Sequence, residues 1–166
     1  MLHAKRFLIS LTVMMALLVA VSSSVFAQKM NNDAGWVSVD EIALGGLVLG
    51  MTQDDVVAIY GQPDVVIDHG MNMEKGVPCS TWKYGDSLSL YLANGYVDSV
   101  DTNANNGIQT PAGIHVGSPV SDVWKAYGEP WMQRGESCWY HASKGCLFIT
   151  VRNHKVTDVC IAYGND

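Results

Sequence analysis

Residues 46–63 read GLVLGMTQDDVVAIYGQP, and residues 113–130 read GIHVGSPVSDVWKAYGEP. The two segments align without a gap at an offset of 67 positions (113 − 46), and both end in Tyr-Gly-x-Pro. A segment that recurs at a fixed spacing indicates an internal repeat, which has to be recognised before the fold is predicted. The sequence therefore predicts two tandem repeat units, residues 36–102 and residues 112–166, joined by a linker at 103–111.

Each copy of the segment carries the start and stop signals of a short helix. In the first copy, Thr52 is a suitable N-cap and Asp55 follows three residues later, as in a capping box. In the second copy, Ser118 is the expected cap and Pro119 the first helical residue. A glycine ends each helix, at Gly61 and at its counterpart in the second copy, and a proline follows two residues later. Helices of about two turns are unstable alone, so each is expected to pack on other elements.

The apolar pattern after each helix predicts antiparallel strands. Over 88–93 leucine alternates with Ser89, Tyr91 and Ala93, and the Asn94-Gly95 pair that follows is a strong hairpin signal. The second copy repeats this pattern, with its turn at Asn153-His154. The fold class predicted from these signals is α+β: two tandem repeats, each a short helix packed on a three- to four-stranded antiparallel sheet. The sequence leaves open whether the two units share one continuous sheet.

Two finer features follow from comparing the copies. Val97 and Val100 are three apart in the first return strand, and Val156 and Val159 are three apart in the second. Strict alternation would place the members of each pair on opposite faces, so a β-bulge is expected in both return strands. The segment between helix and tryptophan is ten residues longer in the first copy (67 − 57), and with residues 68–78 taken as this insertion Trp82 matches Trp139, which predicts that both lie in the core.

The N-terminal residues predict export. Residues 1–27 begin with Lys5 and Arg6, continue with a short apolar run and end in Val-Phe-Ala, which is typical of a cleaved signal peptide; residues 28–35 are then a flexible lead-in. No cysteine lies near the cut, so lipid attachment there is not expected. The protein is predicted to be periplasmic or secreted, without membrane insertion after signal removal.

Charge and cysteine content narrow the possible partners. The 10 basic and 16 acidic residues become 8 and 16 without Lys5 and Arg6, a net charge of −8 that opposes binding to nucleic acid.

The four cysteines of an exported chain suggest disulfides, which could connect in three ways. We favour a Cys146–Cys160 bridge, because these residues flank the same predicted hairpin. A zinc cluster that includes Cys138 and His141 is the weaker alternative.

Residues 49–63, LGMTQDDVVAIYGQP, resemble the GMTxxxVxxxxGxP helix motif of two related groups of proteins. One is the secreted beta-lactamase inhibitory proteins, which are built as tandem repeats, and the other is the SmpA/OmlA (BamE-like) small lipoproteins of outer-membrane assembly. The resemblance extends over nearly all of residues 36–163, although this chain lacks the lipidated cysteine of the lipoproteins. It implies a helix-and-sheet repeat and a role in protein binding, as a hydrolase inhibitor or an envelope-assembly accessory.

No catalytic motif is present in the sequence. The predicted mature chain has four histidines, at 69, 115, 141 and 154, and none lies in a nucleophile or metalloprotease motif. The sequence therefore predicts that the protein is not an enzyme and needs no cofactor.

The function predicted from the sequence is that of an exported binding module that recognises an envelope or secreted protein. Tyr96 and Trp131 are the candidate partner-binding residues, because both adjoin turns and neither has an aromatic counterpart in the other unit. The alternative is a periplasmic protein that binds Cu(I) or Ag(I) through His69, Met71 and Met73, whose soft ligands alternate along an inserted segment.

Overall fold

A single antiparallel sheet of eight strands dominates the computed structural model, which describes residues 34–74 and 76–164. The predicted signal peptide and most of the lead-in lie outside the described residues. Along the sheet the strands follow the order β3-β4-β5-β6-β10-β9-β8-β7. Their bounds are β3 (Val65–Asn72), β4 (Val77–Tyr84), β5 (Leu88–Ala93), β6 (Tyr96–Thr102), β7 (Met132–Arg134), β8 (Ser137–Ala142), β9 (Gly145–Arg152) and β10 (Lys155–Ala162). A separate two-stranded sheet pairs β1 (Ala43–Leu44) with β2 (Leu47–Val48).

The predicted fold class, two tandem repeats that each pack a short helix on a three- to four-stranded antiparallel sheet, is wrong, because eight strands form one large sheet. Strand β6 pairs directly with β10, with Val100 opposite Ile161, so the strands form one continuous sheet. Two separate sheets would each expose an edge with unpaired backbone groups, and the β6–β10 pairing removes both of those edges. The pairing also joins the apolar residues of both strands into one buried row.

The described residues form two α-helices, α1 (Gln53–Tyr60) and α2 (Val120–Tyr127). The capping box of α1 is confirmed: the Thr52 hydroxyl accepts from the Asp55 amide, and the Asp55 carboxylate accepts from the Thr52 amide at 3.0 Å. The cap predicted for α2 is wrong. Pro119 occupies the N-cap position, and the Ser118 hydroxyl instead accepts from the His115 amide at 3.1 Å.

The predicted turns and bulges are confirmed. Asn94 and Gly95 have φ values of 52° and 80°, and Asn153 and His154 have 50° and 62°, the left-handed conformation that a two-residue hairpin requires. The ladder between β5 and β6 shifts by one residue at Asp98, and the ladder between β9 and β10 shifts at the same point after its own turn. These shifts let apolar residues three apart share one face of the sheet.

The core lies between the two helices and one side of the sheet, which we call the helix face. A continuous row crosses this face from β4 to β8: Trp82, Leu90, Val100, Ile161, Leu147 and Tyr140. All six are buried in one cluster with residues of α1 and α2. The prediction that Trp139 is a core residue is therefore wrong, since Tyr140 takes the core position and Trp139 points to the other side.

The end of each helix is fixed by the same contact. Tyr84 donates to the carbonyl of Gly61 at 3.0 Å, and Tyr140 donates to the carbonyl of Gly128 at 3.1 Å. These contacts show that Tyr84 and Tyr140 are equivalent positions, with an offset of 56 (140 − 84). The match of Trp82 with Trp139 has an offset of 57 (139 − 82), so it is displaced by one residue. No helix in the described part of the chain combines the length and apolar character that a membrane crossing needs.

Candidate functional site: the open face of the sheet

The side of the sheet opposite the helices, which we call the open face, carries a polar centre and an aromatic end. One row of neighbouring residues runs across it from β4 to β8: Lys83, Ser89, Asp101, Cys160, Phe148 and Trp139. Apart from the exposed Lys83, these side chains are half-buried. Because they alternate with core residues along each strand, the open face is a surface that the fold does not need for its main core.

The aromatic end of the open face, which we call the aromatic patch, consists of Trp36, Trp131, Trp139 and Phe148. Trp139 and Phe148 stack edge to face with ring centroids 5.1 Å apart. The rings of Trp36 and Trp131 lie 6.0 and 4.4 Å from the ring of His141, and they remain 55% and 49% exposed. Rigid rings that keep half of their surface exposed are typical of protein-binding sites.

A short stretch of backbone before β1 holds the aromatic patch together. The Val37 amide donates to the His141 carbonyl at 2.8 Å, and the His141 amide donates to the Gly35 carbonyl at 2.7 Å. This stretch pairs with the same edge of β8 as β7 does. Just before β7, the Trp131 amide donates to the Trp139 carbonyl at 2.9 Å. Trp36 and Trp131 therefore both lie beside His141, because two chain segments pair with the same edge of β8.

Behind the two tryptophans, the half-buried His141 imidazole lies beside the buried Cys146 thiol. His141 Nδ1 is 3.4 Å from the Cys146 sulfur, and His141 Nε2 is buried without a hydrogen-bond partner. The arrangement resembles a nucleophile with its base, but Cys146 is only 3% exposed and the tryptophans pack over the imidazole. A substrate could reach the sulfur only if this covering moved.

No disulfide links the cysteines of the described residues, so the predicted Cys146–Cys160 bridge is not formed in this structure. Cys146 lies opposite Ala162 and Cys160 lies opposite Phe148, so the two cysteines are diagonal neighbours on one face. Diagonal Cα separations of about 7–8 Å exceed those that a disulfide usually spans. Cys138 belongs to the core on the helix face, which separates it from His141 and from the ligands of the alternative zinc cluster.

Two carboxyl groups occupy the polar centre of the open face. Asp101 lies opposite Cys160, and Asp158 is two residues away on the same strand as Cys160. Burial, followed by the charge of Asp158 and a hydrogen bond with it, raises the pKa of Asp101 to about 6. Burial also raises the pKa of Asp158, although the hydrogen bond with Asp101 and the charge of Arg152 act to lower it. Burial and both carboxylates raise the pKa of the Cys160 thiol to about 12, so this thiol is a poor nucleophile at neutral pH.

The raised pKa of Asp101 makes a testable prediction about stability. Between the ordinary Asp pKa of 3.8 and the raised pKa of about 6, the folded state binds more protons than the unfolded state, so stability falls as the pH rises through this window. Asp101→Asn removes the ionisable carboxyl group and therefore this loss of stability at higher pH. After discounting for partial exposure, we expect it to raise the free energy of unfolding by about 1 kcal/mol at pH 7.5 and by little at pH 3.5. Urea unfolding at both pH values measures the difference, and an equal change at both would contradict the prediction.

The two predicted partner-binding residues are exposed but lie far apart. Tyr96 begins β6 and is 50% exposed, while Trp131 precedes β7 and belongs to the aromatic patch. Four strand spacings, about 19 Å, separate β6 from β7 in the sheet. The sequence reasoning missed Trp36, because its role depends on a parallel contact with His141 that no local pattern encodes.

The three predicted soft-metal ligands are not gathered at one point. His69 Nε2 lies 2.8 Å from the Thr81 hydroxyl on the open face. A bulge between Asp68 and Gly70 places the His69 side chain on the open face. By alternation, Met71 then lies on the helix face of β3. Met73 lies in the turn that follows the strand. One metal ion could use all three ligands only if β3 rearranged. The Cu(I)/Ag(I) alternative stays a prediction.

Comparison with known proteins gives no family. No protein-family profile matches the chain, and no characterised protein matches it significantly. Among solved structures, the chain is similar to a DUF4309 family protein (YjgB) from Bacillus subtilis, at 12% sequence identity and a TM-score of 0.40. That match covers 72% of this chain and 83% of the other.

Proposed function

We propose that this protein is a non-catalytic, exported binding module that recognises an envelope or secreted protein through its aromatic patch. The observation that carries the proposal is the pair Trp36 and Trp131, whose rings remain about half exposed beside the half-buried imidazole of His141. Large aromatic side chains on a supported backbone bury much area on binding at little entropic cost, which is why they dominate binding hot spots.

The surroundings of the patch support a protein partner. The half-buried Trp139 and Phe148 extend the apolar surface inward, and the polar residues of the row toward β4 would form its rim. An apolar centre with a polar rim is the usual anatomy of an interface. The buried Cys146 gives no accessible nucleophile at this site, which supports a role in binding rather than in catalysis. The location of the partner rests on the predicted signal peptide, and inhibition of a hydrolase is one form that the binding could take.

The experiment that tests this function is chemical cross-linking of the exported protein in its host, followed by mass spectrometry of the captured proteins. The captured partner is then purified, and its affinity is measured for wild type and for two tryptophan variants. We expect Trp131→Ala to weaken binding about thirtyfold, which corresponds to about 2 kcal/mol for a hot-spot residue.

Trp124→Ala is the matched control, because Trp124 is 54% exposed on α2, away from the open face. It should change the affinity less than threefold, on the order of 0.5 kcal/mol. Equal losses for both variants, or no reproducible partner, would reject the proposed site.

A further inference from the structure

Strand β3 forms an edge of the large sheet that is unusually open. Among the described residues it pairs with β4 only, and seven of its eight residues are exposed. Its first three residues, Val65, Val66 and Ile67, are between 39% and 55% exposed. Three adjacent β-branched residues on a free strand edge are a template for another strand.

The opposite edge of the sheet is protected, which makes the contrast informative. Strand β7 has three residues and ends in Arg134, and the backbone around Trp36 continues the cover along β8. Short length and a positive charge are devices that keep an edge from pairing. In β3 the edge is eight residues long and contains neither lysine nor proline.

The free part of β3 is short and well defined. The Asp68 carboxylate accepts from the Gly70 amide at 2.8 Å, and the ladder to β4 shifts at this point. An added strand could therefore pair along residues 64–68. At the other end the Asp64 carboxylate accepts from the Gly85 amide at 2.7 Å, so a carboxylate stands at each end of the apolar triplet.

We propose that β3 binds an extended segment of another protein as an added strand, and that this segment has apolar, β-branched residues flanked by lysine or arginine. Addition of a strand supplies backbone hydrogen bonds, while side chains on both faces give specificity. The flanking basic residues follow from Asp64 and Asp68, which bracket Val65, Val66 and Ile67. This surface lies at the other end of the sheet from the aromatic patch and is independent of it.

The same charges disfavour a second copy of this chain as the occupant. Antiparallel pairing about a two-fold axis at Val66 would set Asp64 of one copy opposite Asp68 of the other, on both sides of the axis. Like charges directly opposite each other on neighbouring strands are destabilising. The net charge of −6 for the whole chain adds to the repulsion between copies.

Two labelled peptides test the proposal on the protein purified after export. One has the sequence KKVTVIVKK and the other EEVTVIVEE, and their binding is followed by fluorescence anisotropy at physiological salt. We expect the basic peptide to bind at least about tenfold more tightly than the acidic one. Hydrogen exchange should show new protection of amides in β3.

Two single variants distinguish pairing at the β3 edge from nonspecific binding of the basic peptide to the protein surface. Val66→Lys should weaken the basic peptide at least about tenfold, because lysine on an edge blocks pairing. Ile59→Lys, on the exposed side of α1, is the matched control and should have no effect. The double variant Asp64→Lys, Asp68→Lys should reverse the preference between the peptides.

Equal binding of both peptides, protection in another strand, or a dimer joined through β3 would overturn the proposal. The outcome is separable from that of the aromatic patch, because Trp131→Ala should leave peptide binding unchanged. A partner that binds the patch while neither peptide binds β3 would overturn only this inference.

Discussion

Replacing Tyr140 with alanine is expected to lower the free energy of unfolding by about 4 kcal/mol, whereas Trp139→Ala should lower it by about 1 kcal/mol. Tyr140 is fully buried, packs against the Tyr127 ring at 5.3 Å and donates to the Gly128 carbonyl. Its removal leaves a cavity under α2 and an unpaired carbonyl. Trp139 is larger, but it lies half-buried on the open face and its loss leaves no closed cavity.

This pair of adjacent variants tests the strand register, because a shift of one residue exchanges the faces of all side chains. Urea unfolding at neutral pH gives both free energies. Tyr140→Phe serves as an internal control that keeps the ring and removes one hydrogen bond, at a cost of about 1 kcal/mol. A larger loss for Trp139→Ala than for Tyr140→Ala would mean that the register is wrong.

Gly35→Ala is expected to release the backbone around Trp36 from β8, at a local cost of about 3 kcal/mol. Gly35 has a φ of 74°, and a Cβ atom there would lie 1.8 Å from the backbone nitrogen of Trp131. Backbone cannot move aside as a flexible side chain can, so the alanine variant has to give up the two hydrogen bonds between this segment and His141.

Amide hydrogen exchange at Val37 and His141 measures the release, which should speed exchange about a hundredfold, in line with the local free energy. Gly46→Ala is the control, since its φ is 81° but nothing lies within 4 Å of the added Cβ. Gly46→Ala therefore has only the strain of an alanine in the left-handed region and no clash, and it should leave the Val37 and His141 amides protected. Unchanged exchange in Gly35→Ala would show that the segment is not held by this contact.

Local signals in the sequence were sufficient where the structure depends on near neighbours. The Thr52–Asp55 capping box, the Asn94-Gly95 turn and the bulges in both return strands are set by residues within a few positions of each other, and each is present. The stop of each helix at a Tyr-Gly pair is also present. These features have fixed local geometry that residue types report directly.

Long-range pairing is where the predictions failed. Nothing in the β6 or β10 sequence states that these strands pair with each other, so the sequence could not show that the strands form one eight-stranded sheet. The match of Trp82 with Trp139 failed by a single residue because composition, rather than a contact, guided the alignment; the Tyr84 and Tyr140 bonds to helix-end carbonyls give the correct match. The same register puts Cys146 and Cys160 diagonally across β9 and β10, which the hairpin argument could not foresee.

The candidate site was predictable only in part. Trp131 could be singled out because it lacks an aromatic counterpart, but its neighbours Trp36 and His141 come from distant parts of the chain. The pairing of Asp101 with Asp158 likewise depends on the junction of β6 and β10. Sites built across a sheet are assembled by strand order, and strand order is what a single sequence conveys least.

The most direct test of the proposed binding function places a photoreactive residue, p-benzoylphenylalanine, at one position at a time in the full-length protein expressed in its host. Positions 131 and 36 report on the aromatic patch, position 96 on the centre of the sheet, and position 124 on the exposed side of α2. The account predicts that one protein partner is captured efficiently from positions 131 and 36 and not from position 124. Capture of the same partner only from position 124, or of no protein from any of the four positions, would contradict it.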